Sequence, residues 1–219
     1  QSGEGLSVAG LFVTQTTSVA TAITLAVGGV GEYFNYNFSG STATTKMYGC
    51  DGVNPAFEFD GTNYIPIHTG MTTDTPTHIM VHKSHLFLSF LGAVQFSGIG
   101  NPYSWSIVTG AAELNLSKSV SGFMPQSGTA SGASMAIFTS ERTFMLYGSS
   151  SADFALVPST FDVGFSPYTM QQVGNDAFGL TALGIQKLMT TQNYGNFAYG
   201  SVSHMIQPLM TLKRGLETA

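Results

Sequence analysis

Residues 82–105 read HKSHLFLSFLGAVQFSGIGNPYSW, and the fold depends on how this stretch is parsed. A helix would place His82 and His85 on one face with His78, in the manner of helical zinc sites. The flanking residues Ile79, Met80, Val81, Leu86, Phe87 and Leu88 do not alternate as an exposed helix requires, and they fit two strands joined by Lys83-Ser84. The sequence therefore predicts strand, tight polar turn, strand, with a Gly- and Pro-bearing step leading to Trp105.

Working outward, the same parse applies to 78–97, 134–157 and 169–190, with turns at His82–His85, Thr139–Arg142 and Gly174–Ala177. Their middle strands are expected at Leu86–Phe90, Phe144–Tyr147 and Ala177–Leu180. A looser copy spans 47–67, with turns at Asp51–Asn54 and Asp60–Asn63, and residues 109–133 read as an insertion between the second and third units. Repeated meanders of this size point to propeller blades, which take about 40–50 residues each. The expected fold is all-β: a β-propeller-like array of antiparallel meander blades, part of a larger propeller. Residues 45–210 form that region, 1–44 an N-terminal segment suited to inter-subunit or platform contacts, and 211–219 a tail. A short helix around Pro208 is a further expectation, and the N-terminal Gln suggests a chain cut from something longer.

Composition bounds the function. Of 219 residues, 43% are hydrophobic and 9% charged, with 26 Gly, 16 Phe and 9 Tyr. Ordinary soluble domains carry roughly 25% charged residues, so much of this exterior is expected to meet other subunits. A net charge of −5 with seven basic residues excludes a chain that wraps nucleic acid. Cys50 is alone, which excludes an internal disulfide. The near-apolar run 18-SVATAITLAVGGV-30 is shorter than the roughly 20 residues that span a bilayer.

Candidate chemistry is sparse. His82 and His85 flank a turn and no carboxylate sits beside them in sequence, so a zinc site of His78, His82 and His85 is not expected. No G-x-S-x-G elbow occurs: 148-GSSSA-152 and 127-SGTASGAS-134 both miss the pattern. An Asp-box fails at 97-SGIGNPYSW-105, where Ile99 and Asn101 occupy the defining positions, and Arg142 and Arg214 cannot form an arginine cluster. The segment 28-GGVG-31 lacks the Lys of a phosphate loop. Asn37-Phe38-Ser39 and Asn115-Leu116-Ser117 match the glycosylation triplet without a secretory signal. No catalytic, cofactor-binding or metal-ligating residue is assigned, and neither a cofactor nor enzyme activity is expected.

The order of GVNPAFEFDGTNYIPI (52–67), HKSHLFLSF…VQFSGIGNPYSW (82–105), AIFTSERTFMLYGSSSADFALV (136–157) and DVGFSPYTMQQVGNDAFGLTALGIQKL (162–188) resembles the β-propeller region of tail nozzle proteins of short-tailed bacteriophages, also called tail tubular or head-to-tail knob proteins. The resemblance covers about residues 45–210. It implies a structural virion protein located in the tail: a homo-oligomeric, commonly hexameric ring below the portal and adaptor, in contact with other tail proteins including fibres, through which DNA passes without tight or specific binding. Such proteins are usually far longer, so interface residues do not transfer. The alternative is a propeller-type receptor- or glycan-binding module of a virion, with Tyr103, Trp105 and Tyr168 stacking on sugars.

Overall fold

The computed structural model describes residues 4–6, 13–15, 24–41, 44–126, 134–158, 163–173, 176–190, 197–203 and 208. The first sheet comprises β3 (Glu32–Tyr36), β4 (Lys46–Cys50), β5 (Phe57–Phe59) and β6 (Tyr64–Pro66), paired in chain order. In the second, β7 (Ile79–His82), β8 (His85–Phe90), β9 (Ala93–Phe96) and β10 (Ala112–Asn115) follow the same order. The third holds β11 (Val120–Pro125), β12 (Met135–Thr139), β13 (Thr143–Tyr147) and β14 (Ala155–Pro158); the fourth holds β15 (Gln171–Val173), β16 (Asp176–Thr181), β17 (Gly184–Thr190) and β18 (Phe197–Ser201). A ribbon of β1 (Glu4–Leu6) and β2 (Val13–Gln15) precedes them. No helix among the described residues is long and apolar enough to cross a membrane.

The strands expected at 78–82, 86–90, 134–139, 143–148 and 177–180 are β7, β8, β12, β13 and β16 with their ends adjusted by a residue. Two expectations change. Residues 109–133 are no insertion, since they carry β10 and β11, the last strand of one meander and the first of the next. The first sheet begins at Glu32 rather than near residue 45, because β3 pairs with β4 from Glu32↔Cys50 to Tyr36↔Lys46. Its alternation of half-buried Glu32, Phe34 and Tyr36 with exposed Tyr33 and Asn35 is a one-faced strand pattern in the segment assigned to inter-subunit or platform contacts. The turn at 174–175, the helix expected around Pro208 and the 211–219 tail lie wholly or mostly outside the described residues.

The chain divides into two compact units, residues 1–120 with 148–154, and residues 121–147 with 155–219. In the first unit β8 is buried at all six positions, which explains why HLFLSF reads as a near-continuous apolar run. Leu86, Leu88 and Phe90 join Ile79, Val81, Tyr48, Cys50, Ile67 and Trp105 in one core cluster. His85 and Phe87 face the other way, where Phe87 lies 5.2 Å from Phe96 and 5.9 Å from Phe154, ring centre to ring centre. The second unit has its own core of Met124, Ala136, Phe138, Met145, Phe165, Ala177 and Leu188. There Gly164 runs so close to the β12–β13 turn that a Cβ would lie 2.1 Å from the Ser140 carbonyl, so no larger residue fits.

Candidate functional site

The 82–105 stretch is a self-bracing corner of the first unit. Lys83 and Ser84 both take positive φ, 48° and 59°, as a two-residue type I′ hairpin demands. Neither is glycine, so the turn relies on outside support: the Ser84 carbonyl accepts from Gly100 N–H at 2.7 Å, and its hydroxyl meets Tyr36 Oη at 3.1 Å. Ser97 ties the following strands together. Its N–H donates to Leu86 O, its hydroxyl accepts from Leu86 N–H at 3.0 Å, and its carbonyl accepts from His85 Nδ1–H at 2.5 Å. Trp105 closes the corner, fully buried, with Nε1–H donated to Pro102 O at 3.0 Å.

The residues weighed for chemistry are dispersed or internally occupied. His78 Nδ1 meets Glu32 Oε2 at 2.6 Å, whereas His82 and His85 face one another at the turn. Among the described residues no group of three or more His, Cys, Asp or Glu is arranged to hold a metal ion. Ser149 and Ser150 bond through backbone and hydroxyls to the Asp153 carboxylate, which these bonds hold near pKa 2. Asn37 Oδ1 and Asn115 Oδ1 accept from the N–H groups of Ser39 and Ser117, closing local turns. Gly28 to Gly31 lead into β3 rather than a helix, and Arg142 is exposed at a hairpin turn. Arg214 lies outside the described residues. Burial first, then Glu32 and Asp51, pushes the Cys50 thiol well above its ordinary value, so it remains an inert thiol.

The stacking surface imagined for sugars is corrected. Trp105 has no exposed area, and Tyr103 packs half-buried against the core with its ring committed to it; of the three, Tyr168 alone is exposed. Glu58 is likewise interior. Its carboxylate takes the Tyr48 hydroxyl at 2.7 Å and pairs with Lys46, so the buried charge is compensated where it sits.

What remains open is an apolar face of the first unit. A cavity of about 450 Å³ is lined by Gly52, Met71, Thr72, Thr73, Phe90 and Leu91, among others. Leu91 stands at its rim, 76% exposed and at φ 53°, a combination that a bulky apolar residue adopts rarely. The neighbouring 51–54 turn anchors the preceding segment: Asn54 Oδ1 accepts from Ala26 N–H at 2.8 Å and its Nδ2 donates to Ala26 O at 3.0 Å. Gly29 then lies against Asp51 and Val53, too close for a Cβ. Leu25, Val27, Val30 and Val53 are left exposed on these two segments. The Asp51 carboxylate is spent on Val53 N–H, Asn54 N–H and Asn54 Nδ2. Exposed methyl groups beside a carboxylate that is already satisfied suit contact with another apolar surface. Sequence reading missed Leu91 and Met71; the signal available was Leu91-Gly92 filling a two-residue slot between strands.

No protein-family model and no curated protein matches the chain. Among solved structures, it is similar to the propeller-like BBS1N, from a crystal structure of BBS1N in complex with ARL6DN soaked with lead, with a TM-score of 0.50 at 12% identity. The match covers 76% of this chain and 51% of that one, so the chain spans about half the length of the structure it matches. At this identity the likeness concerns fold, and it agrees with four successive meanders as blades. The chain is an all-β protein of propeller-like architecture.

Proposed function

We propose that this chain is a non-catalytic assembly module of a bacteriophage tail, the propeller-like part of a nozzle ring through which DNA is ejected. The observation that carries the assembly reading is the apolar face: Leu91 at positive φ beside a cavity of about 450 Å³, with Leu25, Val27, Val30 and Val53 exposed nearby. The two-residue β8–β9 turn itself accounts for the positive φ of Leu91; what an interface would recover is the apolar area that these side chains leave exposed. The phage assignment rests on the order of motifs along the sequence. A net charge of −5 suits a conduit, because few phosphate contacts mean little counterion-release affinity and little drag on the moving duplex.

Electron microscopy of purified phage particles tests the reading by asking whether this polypeptide forms a ring on the tail axis. The isolated chain is expected to self-associate in a concentration-dependent way and to retain duplex DNA poorly at physiological salt. Tight, strongly salt-dependent DNA binding would defeat the conduit mechanism, and a monomer incorporated in no virion would defeat the assembly reading.

A further inference from the structure

His82 and His85 carry more than a hairpin needs. They are direct partners at the end of the β7–β8 ladder, so their side chains leave the same face of the sheet, with Cβ atoms about 4.5–5.5 Å apart. Both are more than nine-tenths buried, at 7% and 1% exposure. The Ser97 carbonyl can only accept, so its bond to His85 Nδ1 places the proton on that nitrogen and leaves a bare lone pair on Nε2. The Nε2 atoms of both histidines are buried with no hydrogen-bond partner. Around them stand phenyl rings: Phe87 at 6.3 Å from His82 and 6.5 Å from His85, with Phe96 and Phe154 at 5.4 and 5.3 Å from His85. Two imidazole nitrogens left without a partner in an aromatic enclosure are costly, and the turn that joins their strands is itself held at positive φ on two non-glycine residues.

We propose that His82 and His85 form a two-imidazole site for a soft monovalent cation, copper(I), bound through the two Nε2 lone pairs. The donor set selects the ion. Zinc takes about four ligands, and a divalent charge is far harder to bury among phenyl rings than a single one. Copper(I) accepts two opposed nitrogen ligands, and imidazole suits copper. The His85 Nδ1–H bond to a backbone carbonyl fixes the tautomer and ring orientation as the outer-shell partners of metal-binding histidines do. His78 stands apart, engaged with Glu32.

The test is an anaerobic titration of the purified chain with copper(I) against a chromophoric copper(I) chelator. One equivalent is expected to stay with the protein, with retention weakened at least about tenfold in His82→Asn and in His85→Asn. Asparagine at 85 still offers Ser97 a donor while removing the Nε2 lone pair, and His68→Asn, at a half-exposed histidine paired with Asp74, should retain the metal. Silver(I) added to the unmodified chain with ¹⁵N-labelled histidine supplies a reading independent of variant folding: the Nε2 resonances of His82 and His85 should move while those of His68 and His78 stay. Absence of retained copper, undiminished retention in both variants at 82 and 85, or stationary Nε2 resonances would overturn the site. Equally tight stoichiometric zinc would overturn the choice of ion.

Discussion

Two kinds of turn sit within the first unit, and they hold their shape by different means. Asp51-Gly52-Val53-Asn54 and Asp60-Gly61-Thr62-Asn63 repeat one design: glycine takes the positive φ, 79° and 99°. In each, one aspartate oxygen accepts from the N–H groups two and three residues on, and the other from the asparagine amide. Every element of that design is local, so such a turn keeps its shape wherever it is placed. The Lys83-Ser84 turn has the same need for positive φ and none of the local chemistry. It is held from outside, by Gly100 and Tyr36, and Gly100 belongs to a loop that Trp105 backs from within the core. A turn that breaks the local rule thus depends on packing some twenty residues away, and it is this turn that presents His82 and His85.

The largest expected effect tests that dependence. Trp105→Ala removes the largest fully buried side chain and should cost about 3–5 kcal/mol, measured by denaturant unfolding. Slowed amide exchange at Gly100 should be lost with it. A cost below about 1 kcal/mol would mean the loop is braced by something other than its tryptophan. Next, Asp51→Ala deletes the acceptor for two backbone N–H groups and should cost about 1–2 kcal/mol, while leaving amide protection at Gly100 unchanged because its turn is self-contained. Smaller and opposite in sign, the substitution Lys83→Gly supplies the missing turn chemistry while keeping the Ser84 hydroxyl on Tyr36. It should raise stability by about 1 kcal/mol, seen as a higher denaturant midpoint with unchanged slope; an unchanged midpoint would show that the tertiary supports leave no strain to relieve.

The smallest effect is electrostatic. Backbone and side-chain bonds from Asn63, with Thr62, hold the Asp60 carboxylate near pKa 2 against an ordinary value of 3.8. Because the folded value is depressed, the contribution to stability is fully present above about 3.8 and is lost as pH falls through about 2. A carboxyl-detected NMR titration should find a midpoint near 2; a midpoint at 3.8 would mean that the turn is not formed in solution.

Runs of β-forming residues between polar turns made the meanders legible. Leu86–Phe90, Phe144–Tyr147 and Ala177–Leu180 lie within β8, β13 and β16, since β-forming residues between polar turns leave little else to form. β10 and β11 were not legible. Ala112–Asn115 is short and half-exposed, and Val120–Pro125 carries Ser121 and Gly122 inside a run that looks like a linker. Their strand character comes from lying beside β9 and β12, a gain that depends on partners distant in sequence. Glu32–Tyr36 was missed for a similar reason, because its partner β4 lies across a loop of polar residues.

By itself, the sequence determined that this protein is all-β, that its meanders recur, that no disulfide forms within these 219 residues and that charge is scarce, because β-forming runs, turn residues and composition act locally or in bulk. Tertiary structure alone decided that Trp105 is interior rather than a stacking surface, that Leu91 stands at the rim of a cavity, and that two of three neighbouring histidines oppose each other with their Nε2 atoms unsatisfied. Those outcomes depend on which face of a strand meets which neighbour and on what braces a turn from afar, and neither is encoded in the residue types of the segment itself.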